Sequence, residues 1–459
     1  MDLAYQKLTS DSEPALRKSL EWITLEGTYA MVFSVLTGGA FLTGFALLLG
    51  ANDFEIGLLG AIPFLAQIAQ LASAYLVDLT GKRKSITISS LIIARQTWWL
   101  LLPLPLIGGE WRLGVLLAII IISNIAVMMG TASWMSWLAD LVPDRIRGRY
   151  FGFRSAIIAL STITATLLGG AILDYFKYSN RAGYGFAIII GIGCIFGIIA
   201  VMQMRKLPEK PLAQNESKAY WLYMLEPLRN KNFKHLIRIF LVWNFGLGIS
   251  AAFFSAHMLT NLKMSFTQIS LYVSAASIAA VLLNKPWGRL VDRFGSKPIL
   301  VLCALGIAFV PMIWWIPRPG HIWILAFEAV YSGALWTGFN LAAFNIPIAN
   351  SPRNSRTTYL AIFSVISGMG FFIASIMGGI LAQNWKEIHW PLGVQTVVNY
   401  HLLFAISSIL RILAAFMMFR FHEPREKDLP SVIQYMGDSL SKRFSSGRQL
   451  FLRISGISG

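Results

Sequence analysis

The most informative stretch of this sequence is Gly288-Arg289-Leu290-Val291-Asp292-Arg293-Phe294-Gly295-Ser296-Lys297. It follows one apolar run, residues 269–283, and precedes another, residues 298–315. A glycine turn with a carboxylate and several cations between two apolar runs is typical of a short loop between two membrane helices. The carboxylate can cap or pair at a helix end beside those cations. The stretch therefore predicts two membrane helices joined by a tight basic turn.

A second copy of this turn lies earlier in the chain, as Ala74-Tyr75-Leu76-Val77-Asp78-Leu79-Thr80-Gly81-Lys82-Arg83-Lys84. It also joins two long apolar runs. The copy is degenerate, because Ala74 replaces the first glycine and Leu79 replaces the cation after Asp78. Two turns of one kind, each near the start of one half of the chain, indicate an internal duplication.

The pattern G-x-x-x-D-[RK]-x-G-[RK]-[RK] resembles the loop between the second and third helices of each half of major facilitator superfamily (MFS) transporters. The later copy matches it except at Ser296. The resemblance implies an all-α membrane protein with twelve transmembrane helices in two pseudo-symmetric six-helix halves. It also implies a substrate site between the halves, near the middle of the membrane. The alternative is an ordinary basic loop of an unrelated membrane protein.

Composition favours a membrane protein. Of the 459 residues, 56% are hydrophobic and 13% are charged, whereas soluble domains carry about 25% charged residues. The net charge of +17 would suggest nucleic-acid binding in a soluble protein. Most Lys and Arg residues, however, lie in the two termini and the even-numbered loops, which predicts that these segments are cytoplasmic. We therefore expect a multi-pass protein of the cell (inner) membrane that contacts anionic lipids and binds no nucleic acid.

Twelve apolar runs predict twelve helices. They are residues 24–50, 55–78, 86–107, 112–140, 150–174, 184–204, 234–261, 267–292, 298–316, 321–348, 357–383 and 399–421. Five residues of the first half recur in the second at one constant offset. The pairs are Pro143 and Pro352, Arg147 and Arg356, Tyr150 and Tyr359, Gly169 and Gly378, and Gly170 and Gly379.

The predicted domains follow from these runs. They are a cytoplasmic N-terminal segment (1–23), an N-terminal six-helix half (24–204), a cytoplasmic linker (205–232), a C-terminal six-helix half (233–421) and a cytoplasmic tail (422–459). In the tail, residues 431–451 have apolar positions at helical spacing among cations. This segment is either an amphipathic helix on the inner leaflet or a disordered basic tail.

Ionisable groups inside apolar runs are candidates for function, because placing them in a bilayer is costly. Glu328 is a carboxylate well inside the tenth run, and Ser332, Trp336 and Asn340 follow it at four-residue steps. The resemblance places this helix at the substrate cavity. Such a face would suit a proton site, or a cationic or hydroxylated substrate. The alternative is a structural Glu328 that pairs with a neighbouring helix.

Arg95 and Arg411 lie inside the third and twelfth runs, which the resemblance places outside the cavity. Each should therefore have a buried partner, and Glu26 is the candidate partner for Arg95. The alternative is that Arg95 turns inward and binds an anionic substrate. His257 is interpreted as a satisfied packing residue rather than a proton relay.

Polar side chains in three other helices, those of Gln67, Asn124 and Asn244, are further candidates for lining the cavity or for coupling. Polar groups in such runs often only join helices. No metal-ligand spacing, catalytic triad or Walker-type phosphate loop occurs, so we expect no metal, no cofactor, no enzymatic activity and no use of ATP. The two cysteines lie in apolar runs of different halves and are interpreted as buried hydrophobes.

The resemblance also implies an inner gate. The loop 143–150 and its repeat 352–359 should lie beside the two basic turns. We predict that Arg147 and Arg356 pair with Asp78 and Asp292 and so close the cytoplasmic side. The other gate residues, which belong to the turns, are Gly81, Arg83, Gly288, Arg293 and Gly295.

The sequence therefore predicts a secondary active transporter, a monomer, that moves a small molecule across the cytoplasmic membrane by alternating access. Protons are the expected coupling ion, through Glu328 or Glu26. The alternative is a transport-inactive MFS-like receptor or assembly factor. The degenerate first turn favours that alternative, and the intact second turn and the buried charges oppose it. The sequence gives neither the substrate nor the direction of transport.

Overall fold

The computed structural model of the protein describes residues 14–209, 226–352, 355–421 and 430–435. These residues are helical except for connecting turns and one short hairpin. The helices are α1 (Pro14–Leu36), α2 (Gly39–Leu48), α3 (Asp53–Leu65), α4 (Ala69–Thr80), α5 (Arg83–Gln96), α6 (Trp111–Leu141), α7 (Asp144–Tyr178), α8 (Ala182–Arg205), α9 (Glu226–Arg229), α10 (Lys231–Thr260), α11 (Phe266–Phe294), α12 (Ser296–Ile313), α13 (Ile324–Ala349), α14 (Arg356–Asn384) and α15 (Asn399–Phe419). The strands are β1 (His389–Leu392) and β2 (Gln395–Val398), paired antiparallel.

The helices form the twelve spans of the fold. The first span is α1 with α2, and the second is α3 with α4, joined by a 3₁₀ turn. The third to sixth spans are α5 to α8, and the seventh to twelfth are α10 to α15. Within the described ranges, ten segments are long and apolar enough to cross a membrane. The other two are α5, which continues as a 3₁₀ turn at Thr97–Leu101, and α13, which carries Glu328 and Asn340 among its apolar residues.

Two sequence predictions about boundaries need correction. The first helix begins at Pro14 rather than near residue 24. The α-helix of the third span ends at Gln96, and the apolar residues that follow, predicted as helix up to residue 107, form a 3₁₀ turn and a loop. Most of the predicted amphipathic tail lies outside the residues that the structure describes. Next to and within it, residues 430–435 are described, and they are helical.

The paired glycines show the two-fold relation between the halves. Gly169 of α7 lies against the first span, and its counterpart Gly378 of α14 lies against the seventh. Gly170 lies against the eighth span, and its counterpart Gly379 lies against the second. A Cβ atom at any of the four would come within about 3 Å of a neighbouring helix. Small residues at these positions therefore permit equivalent close approaches of helices in both halves.

The two ends of the bundle differ in their connections. One, the hairpin end, carries β1, β2 and the short loops 49–52, 179–181 and 261–265. The other, the basic end, carries the two basic turns. Gly81 and Gly295 stand at the corners of those turns with φ of +68° and +91°. Only glycine adopts such backbone angles at little cost, which explains why the turn pattern contains glycine at these positions.

The core is shared between the halves only toward the hairpin end. One cluster of buried apolar side chains contains residues of both halves, including Phe45 and Phe253. In this cluster Phe266 of α11 packs on Phe41 of α2, and outside it Phe64 of α3 stacks on Phe371 of α14 across the interface. Toward the basic end the core divides into two clusters, one within each half. The halves are therefore joined at the hairpin end and separate at the basic end.

Candidate functional site

A cavity of about 420 Å³ lies where the halves meet. The first, second and fourth spans of the N-terminal half line most of it, the third contributes Trp98, and the seventh and eleventh spans of the C-terminal half complete it. The lining residues are Phe33, Ser34, Thr37, Gly38, Gly39, Leu42, Thr43, Ile56, Leu59, Gly60, Pro63, Phe64, Trp98, Ile120, Ser123, Asn124, Val127, Ala251, Ala252, Ser255 and Phe371. Its volume is within the range of small-molecule sites in proteins.

The first span is broken beside this cavity. Gly38 is extended, and Gly39 has a φ of +53°, so the helix stops after α1 and restarts as α2. A helix start leaves its first backbone N–H groups without partners in the helix. A second cavity, of about 240 Å³, lies on the other side of the break, against the fifth and eighth spans. Ser34, Gly38 and Gly39 line both cavities, so the break forms part of the wall of each.

The larger cavity has a polar but uncharged lining. Thr37 and Thr43 each donate a hydrogen bond to a carbonyl of their own helix, which leaves the lone pairs of their oxygens for a ligand. The Asn124 amide donates 2.8 Å to the Ile120 carbonyl, so its own oxygen is available as an acceptor. None of the lining residues is ionisable. Hydroxyl, amide and aromatic groups of this kind suit an uncharged polar ligand.

Two carboxylates hold the halves together at the hairpin end by hydrogen bonds across the interface. We call these contacts the Asp174 tie and the Asp53 tie. Asp174 of α7 is buried at 8% exposure and accepts the backbone N–H groups of Phe266 and Thr267, each at 2.8 Å. These N–H groups open α11 in the other half. A carboxylate at a helix N-terminus is stabilised by both the hydrogen bonds and the helix dipole. Asp174 therefore acts as a cap on a helix of the opposite half.

The second tie is made by Asp53, at the start of α3. The Tyr400 hydroxyl donates 2.5 Å to Asp53 Oδ1, and Asn399 Nδ2 donates 2.8 Å to Oδ2. Tyr400 and Asn399 open α15 in the C-terminal half and are both buried. The two ties cross the same end of the interface from different spans. Together with the shared apolar cluster, they close the cavity toward the hairpin end.

Comparison with known proteins identifies the family. The family model of the Major Facilitator Superfamily matches residues 27–257 and again residues 244–456. The chain belongs to the Major Facilitator Superfamily. An uncharacterised MFS-type transporter of Methanocaldococcus jannaschii is 21% identical over 392 residues, which cover 84% of this chain and 94% of that one. As in such relatives, the chain is a multi-pass membrane transporter.

Solved structures of other MFS transporters share the fold. A variant of the nucleoside transporter NupG superposes with a TM-score of 0.66 at 16% identity, covering 88% of this chain and 100% of that one. A D-xylose-proton symporter superposes with a TM-score of 0.63 at 18% identity, covering 88% of this chain and 98% of that one. At these identities the likeness establishes the twelve-helix architecture and nothing further.

Of the predicted cavity residues, the structure places only Asn124 in the lining of the MFS cavity. Gln67 lies at the seam between the second and eleventh spans, against Gly368. Asn244 is half-buried, and Trp336 is packed within the C-terminal half, whereas Asn340 is exposed. Four-residue spacing identifies the residues that share a helix face, but the rotation of that face is set by packing against neighbouring helices. The sequence pattern could not supply that rotation.

Glu328 also lies away from the cavity. It is fully buried inside the C-terminal half, where Tyr272, Ser332 and Trp314 face its carboxylate. None of these three groups meets hydrogen-bond geometry, and neither carboxylate oxygen has a partner in the structure. The expectation that this carboxylate faces the substrate is therefore not met. Its position is that of a buried, unpaired acid one helix layer from the interface.

Glu26 is held between two arginines of the N-terminal half. Its Oε1 lies 3.3 Å from Arg95 Nη2, and its Oε2 lies 3.7 Å from Arg154 Nη2. Glu26 and Arg95 are buried at 3% and 6% exposure. The pairing of Glu26 with Arg95 that the sequence suggested is thus present, and Arg95 does not turn into the cavity. Arg154 is a partner that the sequence did not indicate.

Arg411 has only neutral partners among the described residues. Its Nη2 donates 3.2 Å to the Ser250 hydroxyl, which donates in turn to Ser407. Its Nε has no partner, and the residue is 2% exposed. The prediction of a buried partner is therefore met by a hydroxyl of the seventh span and not by a carboxylate.

At the basic end, three charged residues have contacts within their own half. Arg83 Nη1 lies 2.7 Å from Asp140 Oδ2, and Arg147 donates 2.9 Å to the carbonyl of Ala139 at the end of α6. Arg293 stacks on Tyr435, with 4.2 Å between the guanidinium carbon and the ring centre. These three contacts join residues of the same half, in keeping with the apolar core, which divides there into one cluster within each half.

The remaining gate residues are placed as follows. Asp292 is exposed, and Arg356 is half-buried with its Nε lacking a partner. A Cβ atom at Gly288 would meet open space, so this glycine is not needed for a close helix approach here. The side chain of Asp78 lies outside the described part of the structure. The predicted pairing of Arg147 and Arg356 with the two aspartates stays a prediction.

Sequence reasoning missed both hairpin-end ties. A signal was present for Asp174, because an acidic side chain near a helix C-terminus opposes the helix dipole and needs a compensating partner. Asp53 gave no such signal. It follows Asn52, which forms a capping box with Glu55, and an acid in the first turn of a helix is favourable by itself. Its role across the interface is visible only in three dimensions.

Proposed function

We propose that this MFS transporter is a secondary active transporter that moves a small, uncharged polar molecule by alternating access, coupled to protons. Two observations support this proposal: the cavity between the halves is closed at the hairpin end by two carboxylate ties, and toward the basic end the apolar core divides into one cluster within each half. In this view, the basic end and both termini are cytoplasmic, as the distribution of Lys and Arg favours. The conformation is then inward-facing.

The uncharged lining supports the substrate class. A charged substrate would lose its hydration on entering the site, and it would need an opposite charge to compensate for that cost. The residues around the cavity offer hydroxyls, an amide and aromatic rings instead. NupG is a nucleoside transporter and the other structural neighbour transports D-xylose. Both substrates are uncharged and rich in hydroxyl groups, as the lining would require.

Alternating access follows from the arrangement of contacts. Opening the hairpin end requires the halves to rock apart there, which breaks the ties of Asp174 and Asp53. The basic ends would then meet, where Asp78 and Asp292 could pair with Arg147 and Arg356 as the sequence predicts. Substrate binding shifts the equilibrium between the conformation open at the basic end and the one open at the hairpin end only if the substrate binds the two with different affinity.

Glu328 is the proposed coupling residue. A buried ionised carboxylate without partners is costly, so this group holds a proton in the present conformation. Release of that proton requires water or a cation to reach it, which a conformational change can provide. Glu26 is the less favoured site, because two arginine side chains already compensate its negative charge.

Transport assays test the proposal. Purified protein is first screened for thermal stabilisation by nucleosides, sugars and polyols, because a ligand that binds the folded state raises its stability. A stabilising ligand is then tested for uptake into proteoliposomes driven by a pH gradient. We expect Glu328→Gln to abolish gradient-driven uptake while counterflow exchange continues. The exposed Glu387, changed to Gln, is the matched control. Binding without any uptake would favour the transport-inactive receptor.

A further inference from the structure

Aromatic rings line the larger cavity on the side that faces the basic end. On the first and second spans, the lining residue farthest from the hairpin end is a phenylalanine, Phe33 and Phe64 respectively. Phe371 of the eleventh span and Trp98 of the third are the other aromatic residues of the lining. We call these four residues the aromatic floor. Beyond the floor, toward the basic end, the core divides into one cluster within each half.

Phe64 and Phe371 join the two halves at this floor. Their ring centres are 3.5 Å apart and their planes differ by 16°, so the rings are stacked. Phe64 comes eleven residues after Asp53 in the chain, which places it about 16 Å along the helix from the Asp53 tie at 1.5 Å per residue. The stack and the tie therefore lie on opposite sides of the cavity.

The other two rings of the floor stay within the N-terminal half. Phe33 and Trp98 meet edge to face, with 6.0 Å between ring centres. Trp98 Nε1 donates 2.9 Å to the Ser123 hydroxyl, which donates 2.8 Å to the Ala94 carbonyl. These bonds fix the orientation of the indole. A movement of one half against the other leaves this pair intact and separates Phe64 from Phe371.

The backbone that carries Phe371 is firmly supported. A Cβ atom at Gly248 of the seventh span would lie 2.5 Å from the carbonyl oxygen of Phe371 and 3.0 Å from its Cα. Glycine at this position therefore lets the eleventh span pack directly on the backbone of the seventh. Such close packing leaves little room for movement, so Phe371 is fixed within the C-terminal half.

Phe64, in contrast, lies where the second span is broken. It follows Pro63, and α3 ends one residue later at Leu65, where the 3₁₀ turn Ala66–Ile68 connects it to α4. A proline inside a helix removes a backbone hydrogen bond, and a 3₁₀ segment within a helix often marks a hinge. Because α4 continues to the basic turn at Gly81, a movement of the basic end can be passed along α4 to Phe64.

We propose that Phe64 and Phe371 form an aromatic gate, in which Phe64 moves about the hinge at residues 66–68 and Phe371 is its fixed support. Separation of the rings opens the cavity to the basic end. This gate is distinct from the predicted pairing of Arg147 and Arg356 with the two aspartates, which would close the basic end itself. The role of the aromatic gate in transport rests on the proposed function, whereas its control of access to the cavity does not.

An aromatic stack suits this place because it blocks polar molecules and still separates easily. A polar molecule that passes between the rings loses hydration and gains no hydrogen bond from them. Stacked rings also attract each other less strongly than a carboxylate attracts the N–H and O–H groups bonded to it. The gate can therefore open while the Asp174 and Asp53 ties stay closed. The cavity then exchanges its contents with the basic end alone.

Modification of a cysteine in the cavity by a charged thiol reagent tests the gate without any substrate. Ser255 of the lining is changed to Cys, and the protein is studied in lipid nanodiscs; the native cysteines are buried. We expect Phe64→Ala and Phe371→Ala each to increase the rate of modification about tenfold or more. Phe54→Ala is the matched control on α3, because this ring is exposed and lies outside the lining. An unchanged rate in folded Phe64→Ala would overturn the proposal.

Two further measurements exclude other causes of faster modification. Phe64→Leu keeps an apolar side chain of similar size, so it tests the gate even if Phe64→Ala does not fold, and we expect a smaller increase in its rate. The distance between spin labels at Tyr178 and Val394, at the hairpin end, should stay the same in these variants. A longer distance would mean that the reagent entered from the hairpin end, contrary to the proposal. Because neither measurement needs transport, a gated protein that transports nothing would refute only the proposed function.

Discussion

The hairpin end and the basic end of the bundle satisfy their charges in opposite ways. At the hairpin end, Asp174 and Asp53 of one half accept hydrogen bonds from described residues of the other half. At the basic end, Arg83 finds Asp140 within its own half. Charges that depend on the opposite half hold an interface closed, whereas charges paired within a half let it open without leaving unpaired groups. The difference explains why one end is joined and the other is not.

The basic end also differs between the two halves. Arg83 pairs with Asp140 in the N-terminal half, but the offset that relates the repeated residues places Ala349 opposite Asp140. The contacts of Glu26 with two arginines likewise lie in the N-terminal half, while the C-terminal half carries the buried acid Glu328, whose oxygens have no hydrogen-bond partner in the structure. The duplication has therefore kept the backbone contacts of the glycines and has diverged in its charges.

The largest loss of stability should come from changing Glu26, which contacts two arginines within the N-terminal half. Replacing Glu26 with Ala leaves Arg95 and Arg154 without their acid, and breaking a buried pair in this way costs about 3–5 kcal/mol. We expect a large fall in the melting temperature of the detergent-solubilised protein. Glu21→Ala is the control on the same helix, because the partly exposed Arg17–Glu21 pair should contribute less than about 1 kcal/mol. Equal losses of melting temperature in the two variants would contradict the role of Glu26 as the acid that stabilises Arg95 and Arg154.

A smaller and different effect is expected at the hairpin end. Asp174→Ala removes the acceptor of two N–H groups across the interface, and because water replaces part of that loss at the opened end, we expect a net shift of about 1.5–3 kcal/mol, the size of one hydrogen bond to a charged group. Water can replace the carboxylate once the end opens, so the variant should populate a hairpin-end-open conformation rather than unfold. Increased alkylation of a cysteine placed at the hairpin end would report it. Glu110→Ala, in an exposed loop, should change nothing.

The Asp53 tie should show a still smaller effect. Tyr400→Phe removes one donor to Asp53 but leaves Asn399 in place. We therefore expect the free-energy difference between the closed and open hairpin end to change by about 1 kcal/mol in favour of the open conformation. A double-mutant cycle with Asp53→Asn measures whether the two side chains act together. Additive effects of the two changes would mean that the short contact contributes nothing to closure.

The smallest effect is expected for the Arg83–Asp140 pair. Arg83 is buried, but Asp140 is half exposed, so water can take the place of its carboxylate, and Arg83 keeps its hydrogen bonds to the carbonyl and hydroxyl oxygens of Ser136. Asp140→Asn should therefore leave both the melting temperature and the hairpin-end accessibility close to those of the unmodified protein. A marked opening of the hairpin end in this variant would show that the two ends are coupled through this pair, contrary to its placement within one half.

The sequence predicted those features that depend on local or repeated patterns. Gly81 and Gly295 could be recognised because only glycine suits a left-handed turn residue, and Gly170 and Gly379 because they recur at one offset. The pairing of Glu26 with Arg95 followed from the cost of an unpaired buried charge.

Features that depend on how helices are rotated against one another could not be predicted. Glu328 was expected at the cavity, yet its face of α13 turns toward Tyr272 and Trp314 within the half. The break at Gly38 and Gly39, which shapes both cavities, was read as part of one continuous helix, because Gly-Gly occurs inside membrane helices as well. Asp174 lies far along the chain from Phe266, and no local pattern connects them.

The most direct test of the account measures the distance between the halves at both ends of one molecule. Pulsed electron resonance would use spin labels on exposed positions, Tyr178 with Val394 at the hairpin end and Lys82 with Lys285 toward the basic end. The native cysteines are buried. If the halves rock as proposed, Asp174→Ala lengthens the hairpin-end distance and shortens the basic-end distance together. Two distances that stay fixed, or that lengthen together, would contradict alternating access by these ties.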